Sequence, residues 1–236
     1  MAGEHLSGAR RRWLVDVARW RPSPAQFQAA AALLPPHHRA AIDRFVKEED
    51  RKRALVSQLL QYSLVHHVLG IPFHQIDICR TVEGKPYLQN RTLNFRNFNF
   101  NTSHQGEYVG IASELLCLVG LDIVCISKPQ GETALEFINN FASYLTDHEW
   151  NCVVCDNSPD EMLTEFYSNW RFWLFKLDEV HLASIARGHP EDAVNSYKRT
   201  LSNLVIEERE FHDALEMPEG AFILQTVEQL TQLLQD

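Results

Sequence analysis

Residues 98–124 read Phe-Asn-Phe-Asn-Thr-Ser-His-Gln-Gly-Glu-Tyr-Val-Gly-Ile-Ala-Ser-Glu-Leu-Leu-Cys-Leu-Val-Gly-Leu-Asp-Ile-Val. Phe98 to Asn101 and Tyr108 to Ala112 have strand character, and the polar Asn101–Gly106 segment lies between them. Leu115 to Val124 is then a nearly continuous apolar run. Such a run predicts a strand buried on both faces, with Asp122 at its end. The change of pattern places a boundary near residue 117, dividing the chain into residues 1–117 and 118–236.

Upstream, Trp13 to Val17 alternates like a short strand, and Ser23-Pro24-Ala25-Gln26 is a capping box with proline at the first helical position. That helix should run to about Leu34, where Pro35-Pro36 breaks it before a second helix from Arg39 to Phe45. From Glu48 to Leu69, the stripe Leu55, Leu59, Tyr62 and Leu69 predicts a long helix that Gly70 and Pro72 stop. Ile76–Cys79 and Tyr87–Leu88 read as strands around a Glu83-Gly84-Lys85-Pro86 turn. Downstream, helices are expected over Thr133–Leu145 and from capping boxes at Thr146 and Ser158, with Met162, Phe166 and Trp170 on one helical face. Phe172, Leu174 and Val180–Ala186 read as a hairpin with Asp178 and Glu179 in its turn, and Ile223–Leu234 as an amphipathic last helix. No turn residue separates the helix through Trp170 from that hairpin, which is locally inconsistent.

Hydrophobic residues are 45% and charged residues 22% of 236, a composition that excludes disordered and low-complexity classes. The Val109–Ile126 stretch carries Glu114 and Asp122 and is too short to span a bilayer. With no secretory pattern at the N-terminus, the expectation is a cytoplasmic protein whose five cysteines are reduced thiols. The net charge of −9 conceals a basic segment, 15 Lys+Arg against 8 Asp+Glu over residues 1–100, and an acidic remainder, 7 against 23. This division disfavours a general nucleic-acid binder and is compatible either with a small polyanion held on the N-terminal side or with an uneven solvated surface.

Asn101–Gly106 is either an ordinary polar turn or a place where a hydroxyl, an imidazole and backbone N–H groups meet an anion. Arg80, Gly84 and Lys85 strengthen the second reading, lysine supplying a point charge and glycine a close backbone approach. Asp122 is either a hydrogen-bonded turn residue or a ligand for a hard cation such as Mg²⁺. Cys152 and Cys155 have metal-like spacing without a second pair and read as thiols. The adjacent pairs His37-His38 and His66-His67 should diverge on their helices.

Four segments, Lys47–Arg53, Arg80–Pro86, Phe100–His104 with Gly106, and Val119–Asp122, resemble the 4′-phosphopantetheinyl transferase superfamily, especially its aminoadipate-semialdehyde dehydrogenase and surfactin-type branch. Phe166-Tyr-Ser-Asn-Trp170 extends the likeness. The resemblance implies an α+β fold of two similar α/β halves in a pseudo-twofold arrangement. It also implies transfer of phosphopantetheine from coenzyme A to a serine of an apo carrier protein by a Mg²⁺-dependent monomer that needs neither nucleic acid nor membrane. In that scheme Arg80, Gly84-Lys85-Pro86 and Ser103-His104 hold the coenzyme, with Arg53 as a weaker basic candidate, and Asp122 is the catalytic metal ligand. The family continues past its tryptophan with Trp-x-x-Lys-Glu-x-x-x-Lys, whereas Trp170 here is followed by Arg-Phe-Trp-Leu-Phe. The expectation is therefore a shortened C-terminal half, and with it a choice between an active transferase and a catalytically deficient isoform that keeps part of the coenzyme or carrier surface.

Overall fold

The computed structural model describes residues 10–90, 97–126, 170–201, 204 and 206–235, and over these the chain is an α+β fold. Strand β1 (Arg11–Asp16) is followed by α1 (Pro24–Ala32), α2 (Pro36–Ile42) and α3 (Glu48–Leu69). A small hairpin, β2 (Ile78–Arg80) and β3 (Pro86–Leu88), precedes the longer β4 (Asn99–Gln105), β5 (Tyr108–Glu114) and β6 (Leu118–Cys125). Strands β7 (Trp170–Lys176) and β8 (His181–Gly188), helices α4 (Asn195–Lys198) and α5 (Glu208–Glu216), strand β9 (Ile223–Leu224) and helix α6 (Val227–Leu233) complete the described strands and α-helices. Among them no helix is long and apolar enough to cross a membrane.

The strands form a sheet in the order β4-β5-β1-β9, a second sheet β6-β8-β7, and the separate β2-β3 pair. Strand period sets the layering: Trp13 and Val15 point into a core with α3, while Leu14 between them joins Ala112, Val119, Leu121, Ile123, Ala183 and Ile185 in a second core. The first sheet is thus sandwiched between α3 and the second sheet. Helix α3 buries Leu55, Val56, Leu59, Leu60 and Tyr62, and ends at Gly70 in a left-handed conformation, φ 64°. Gly110 lets the two sheets approach, since a Cβ there would lie 3.0 Å from Ile123.

The α1 capping box, the bounds of α3 and the β7–β8 hairpin match the sequence reading. Five expectations are corrected. Asn101–Gln105 is strand rather than turn. Strand β6 is not buried on both faces, because Asp122 and Val124 are exposed. Trp170 opens β7, where its indole N–H donates to Asp192, instead of lying on a helix. The last helix starts at Val227, with Ile223–Leu224 paired to β1. The His37 and His38 rings lie 4.1 Å apart instead of diverging. The helices expected over 133–169, and Cys152 and Cys155, lie outside the described residues.

Candidate functional site

The two sheets meet through side chains rather than a backbone ladder. Asn99, Asn101, Ser103 and Gln105 on β4 accept from the backbone N–H groups of Val119, Leu121, Ile123 and Cys125 on β6, at 2.9, 3.0, 3.0 and 3.1 Å. Each rung joins residue i to residue i+20, which follows from a side-chain period of two on β4 and N–H groups that alternate between the two edges of β6. At a net 0.5–1.5 kcal/mol per bond, such rungs sum to roughly 2–6 kcal/mol and leave the β6 edge satisfied. Asn99 is fully used, its amide N–H₂ also donating to the Asn97 and Cys117 carbonyls.

Ser103 and Asp122 come together on this seam. The Ser103 hydroxyl donates to Asp122 Oδ1 at 3.0 Å, and the Asp122 residue is otherwise exposed. His104, one residue on, points to the opposite face of the sheet, towards α3. There Arg53 pairs with Asp50 and donates to the Gly106 carbonyl at 2.9 Å. Desolvation, with the Arg53 charge adding to it, lowers the His104 pKa. Gly106 has φ 56°, and a Cβ on it would lie 2.3 Å from Nε2 of the buried His181. His181 is in turn held by Asp178, whose carboxyl sits at about 2 chiefly through the Val180 N–H.

Arg80, Gly84, Lys85 and Pro86 form their own cluster on the β2–β3 turn. Arg80 donates to the Gly84 carbonyl at 2.7 Å, Gly84 turns the chain at φ 86°, and Pro86 pairs with Arg80 across the hairpin. The Lys85 ammonium lies 4.1 Å from the centre of the Tyr197 ring, and burial pulls its pKa down to about 8. Ser196 beside Tyr197 donates to Glu83 at 2.6 Å, so α4 closes over the turn at two points. Among the described residues, no hydrogen bond or ion pair joins this cluster directly to Asp122, and no three His, Cys, Asp or Glu side chains gather as a metal cage.

Sequence reasoning missed Tyr197, for which nothing in the local pattern signals a neighbour more than a hundred positions away. It also missed the β4 ladder, although the alternation Phe98-Asn99-Phe100-Asn101 carries its signal. A third omission is a buried charge network in which Glu114 and Glu219 meet Arg10, Arg12 and Arg187.

A family model described as "4′-phosphopantetheinyl transferase, N-terminal" matches residues 18–116. The L-aminoadipate-semialdehyde dehydrogenase-phosphopantetheinyl transferase of Rattus norvegicus is 38% identical over 160 residues, 67% of this chain and 52% of that protein. The Homo sapiens protein of the same name is 35% identical over the same shares. A phosphopantetheinyl transferase of Thraustochytrium is 29% identical over 181 residues, 75% of this chain and 60% of that protein. The chain spans about half the length of the vertebrate relatives it matches.

Proposed function

The chain belongs to the 4′-phosphopantetheinyl transferase superfamily, and on that premise we propose that it transfers the 4′-phosphopantetheine group of coenzyme A to a serine of an apo carrier protein. The observation that carries the reading is the exposed Asp122 carboxylate fixed by Ser103 at the seam of the two sheets, on a chain whose first 100 residues are basic. The serine oxygen would attack the pantetheine-side phosphorus and break its bond to the bridging oxygen. Adenosine 3′,5′-bisphosphate would leave with that electron pair, and the serine proton would pass to solvent.

In this reading Arg53, Arg80 and Lys85 supply positive charge to the coenzyme phosphates. His104 offers an N–H, and Gly84 and Pro86 shape the turn that presents Lys85. Catalysis rests on positioning and charge complementarity. Mg²⁺ takes one or two carboxylates, several waters and the substrate's own phosphates, and the exposed Asp122 would be one of those carboxylates, with a second acid needed nearby. Bound there, the ion would supply charge neutralisation for the leaving phosphate. The pseudo-twofold pair of halves, the cytoplasmic location and the monomeric state belong to the same proposal.

A second reading, a catalytically deficient isoform that keeps part of the coenzyme or carrier surface, is favoured by the want, among the described residues, of a cluster of three metal-binding side chains and by the strand β7 at Trp170–Lys176. Transfer of labelled pantetheine from coenzyme A to an apo carrier protein at millimolar Mg²⁺ separates the two. Label above the no-enzyme control supports the transferase. Coenzyme binding without label transfer supports the deficient isoform.

A further inference from the structure

We propose that the cavity between the β5–β6 connection and α5 is a binding site for an organic cation, a molecule with an apolar body and an ammonium group; the assignment does not rest on the function proposed above. The cavity measures about 430 Å³, within the range of small-molecule sites. Leu115, Leu116, Ala214 and Met217 supply its apolar lining. At its rim stand the exposed carboxylates of Glu207, Glu210 and Asp213, against a single exposed guanidinium, that of Arg209. Among the described residues no ion pair engages those three acids, whereas Glu114 and Arg10, which also line the cavity, neutralise each other. The lining therefore suits an apolar body and the rim a positive charge.

Both walls are fixed before a ligand arrives. Arg187 is fully buried and donates to the carbonyls of Ala214 and Met217, each at 2.7 Å, which pins the end of α5. On the other side the Asn99 amide donates to the Cys117 carbonyl at 2.8 Å, and Glu114 is tied to Arg12 at 2.5 Å. A cavity held open in this way needs little rearrangement on binding. It is also apart from the Ser103–Asp122 pair: Leu118 opens β6 beside the cavity, and Asp122 lies further along that strand by about 13 Å.

Dansylcadaverine, an apolar naphthalene sulfonamide with a terminal ammonium, is titrated into the full chain at pH 7 in salt that screens charges beyond about 8 Å. Its emission reads binding, and dansylglycine, which ends in a carboxylate instead, is the charge control. The cationic probe should saturate with blue-shifted emission, and the anionic probe should bind at least about tenfold more weakly. Glu210→Lys combined with Asp213→Lys, both at exposed positions, should weaken the cationic probe about tenfold. Glu208→Lys combined with Glu228→Lys makes the same change of net charge outside the lining and should stay within about 2-fold of the parent chain. Saturating coenzyme A should leave the probe in place. No saturable binding by the parent chain overturns the proposal, and so does equal binding of the two probes. Equal weakening by the two pairs of substitutions assigns the effect to net charge, and displacement by coenzyme A assigns the probe to the coenzyme site; either result overturns it as well.

Discussion

Raising the pH from 7 to 9 should discharge Lys85 and weaken phosphate binding about tenfold. Burial holds this ammonium at about 8 instead of the ordinary 10.5. If only the charged form grips an anion, binding scales with the protonated fraction, about 0.9 at pH 7 and about 0.1 at pH 9. A lysine with an ordinary pKa loses only about 3% of its charge over that range. The sign also fixes a stability window. The folded chain binds fewer protons than the unfolded one between about 8 and 10.5, so Lys85 contributes stability that rises with pH there and is lost below it. Calorimetric titration with adenosine 3′,5′-bisphosphate, which has no thiol to titrate, reads the affinity at each pH. Lys85→Arg, charged throughout, should flatten the profile. A parent profile already flat from pH 7 to 9 would refute the argument that Lys85 is both desolvated on Tyr197 and engaged with phosphate.

Gly106→Ala should destabilise the chain by about 2–3 kcal/mol, because a positive φ and a Cβ 2.3 Å from His181 add together; thermal denaturation reads the loss, and His181→Ala in the same chain should restore part of it. Glu219→Gln should cost about 3–5 kcal/mol in denaturant unfolding, since it leaves Arg12 and Arg187 buried beside a neutral amide. Burial pushes the Glu219 carboxyl up, but Arg12, Arg187 and Arg10 together hold it below its usual value. Acid should therefore weaken the parent chain as pH falls below the ordinary carboxylate value towards the lower value of folded Glu219, and the Glu219→Gln chain less so.

Long helical periodicity was legible, as α3 shows, and so was the β7–β8 hairpin, with Asp178 and Glu179 in its turn. The apolar run before Asp122 was read as fully buried because composition alone does not reveal which face of a strand remains uncovered. One face of β6 packs on Leu14 and Ala112, while Val124 and Asp122 remain open. Asn101–Gln105 was mistaken for a turn because its polar residues satisfy the β6 backbone, a tertiary partner that no local rule supplies. The candidate residues were found by type and spacing, but their grouping was not: Ser103 and His104 are neighbours in sequence and point to opposite faces. The charge network of Arg12, Glu114, Arg187 and Glu219 joins positions up to 207 apart and left no local trace.

Asp122 is the carboxylate on which the proposed transfer depends. Coenzyme A titrated calorimetrically into the chain with millimolar Mg²⁺, beside Asp122→Ala under the same conditions, tests it most directly. The parent chain should give binding heat and the variant should lose at least about tenfold in affinity, as expected when a cation's carboxylate anchor is removed. Equal affinity in both chains, or no heat from the parent, would contradict it.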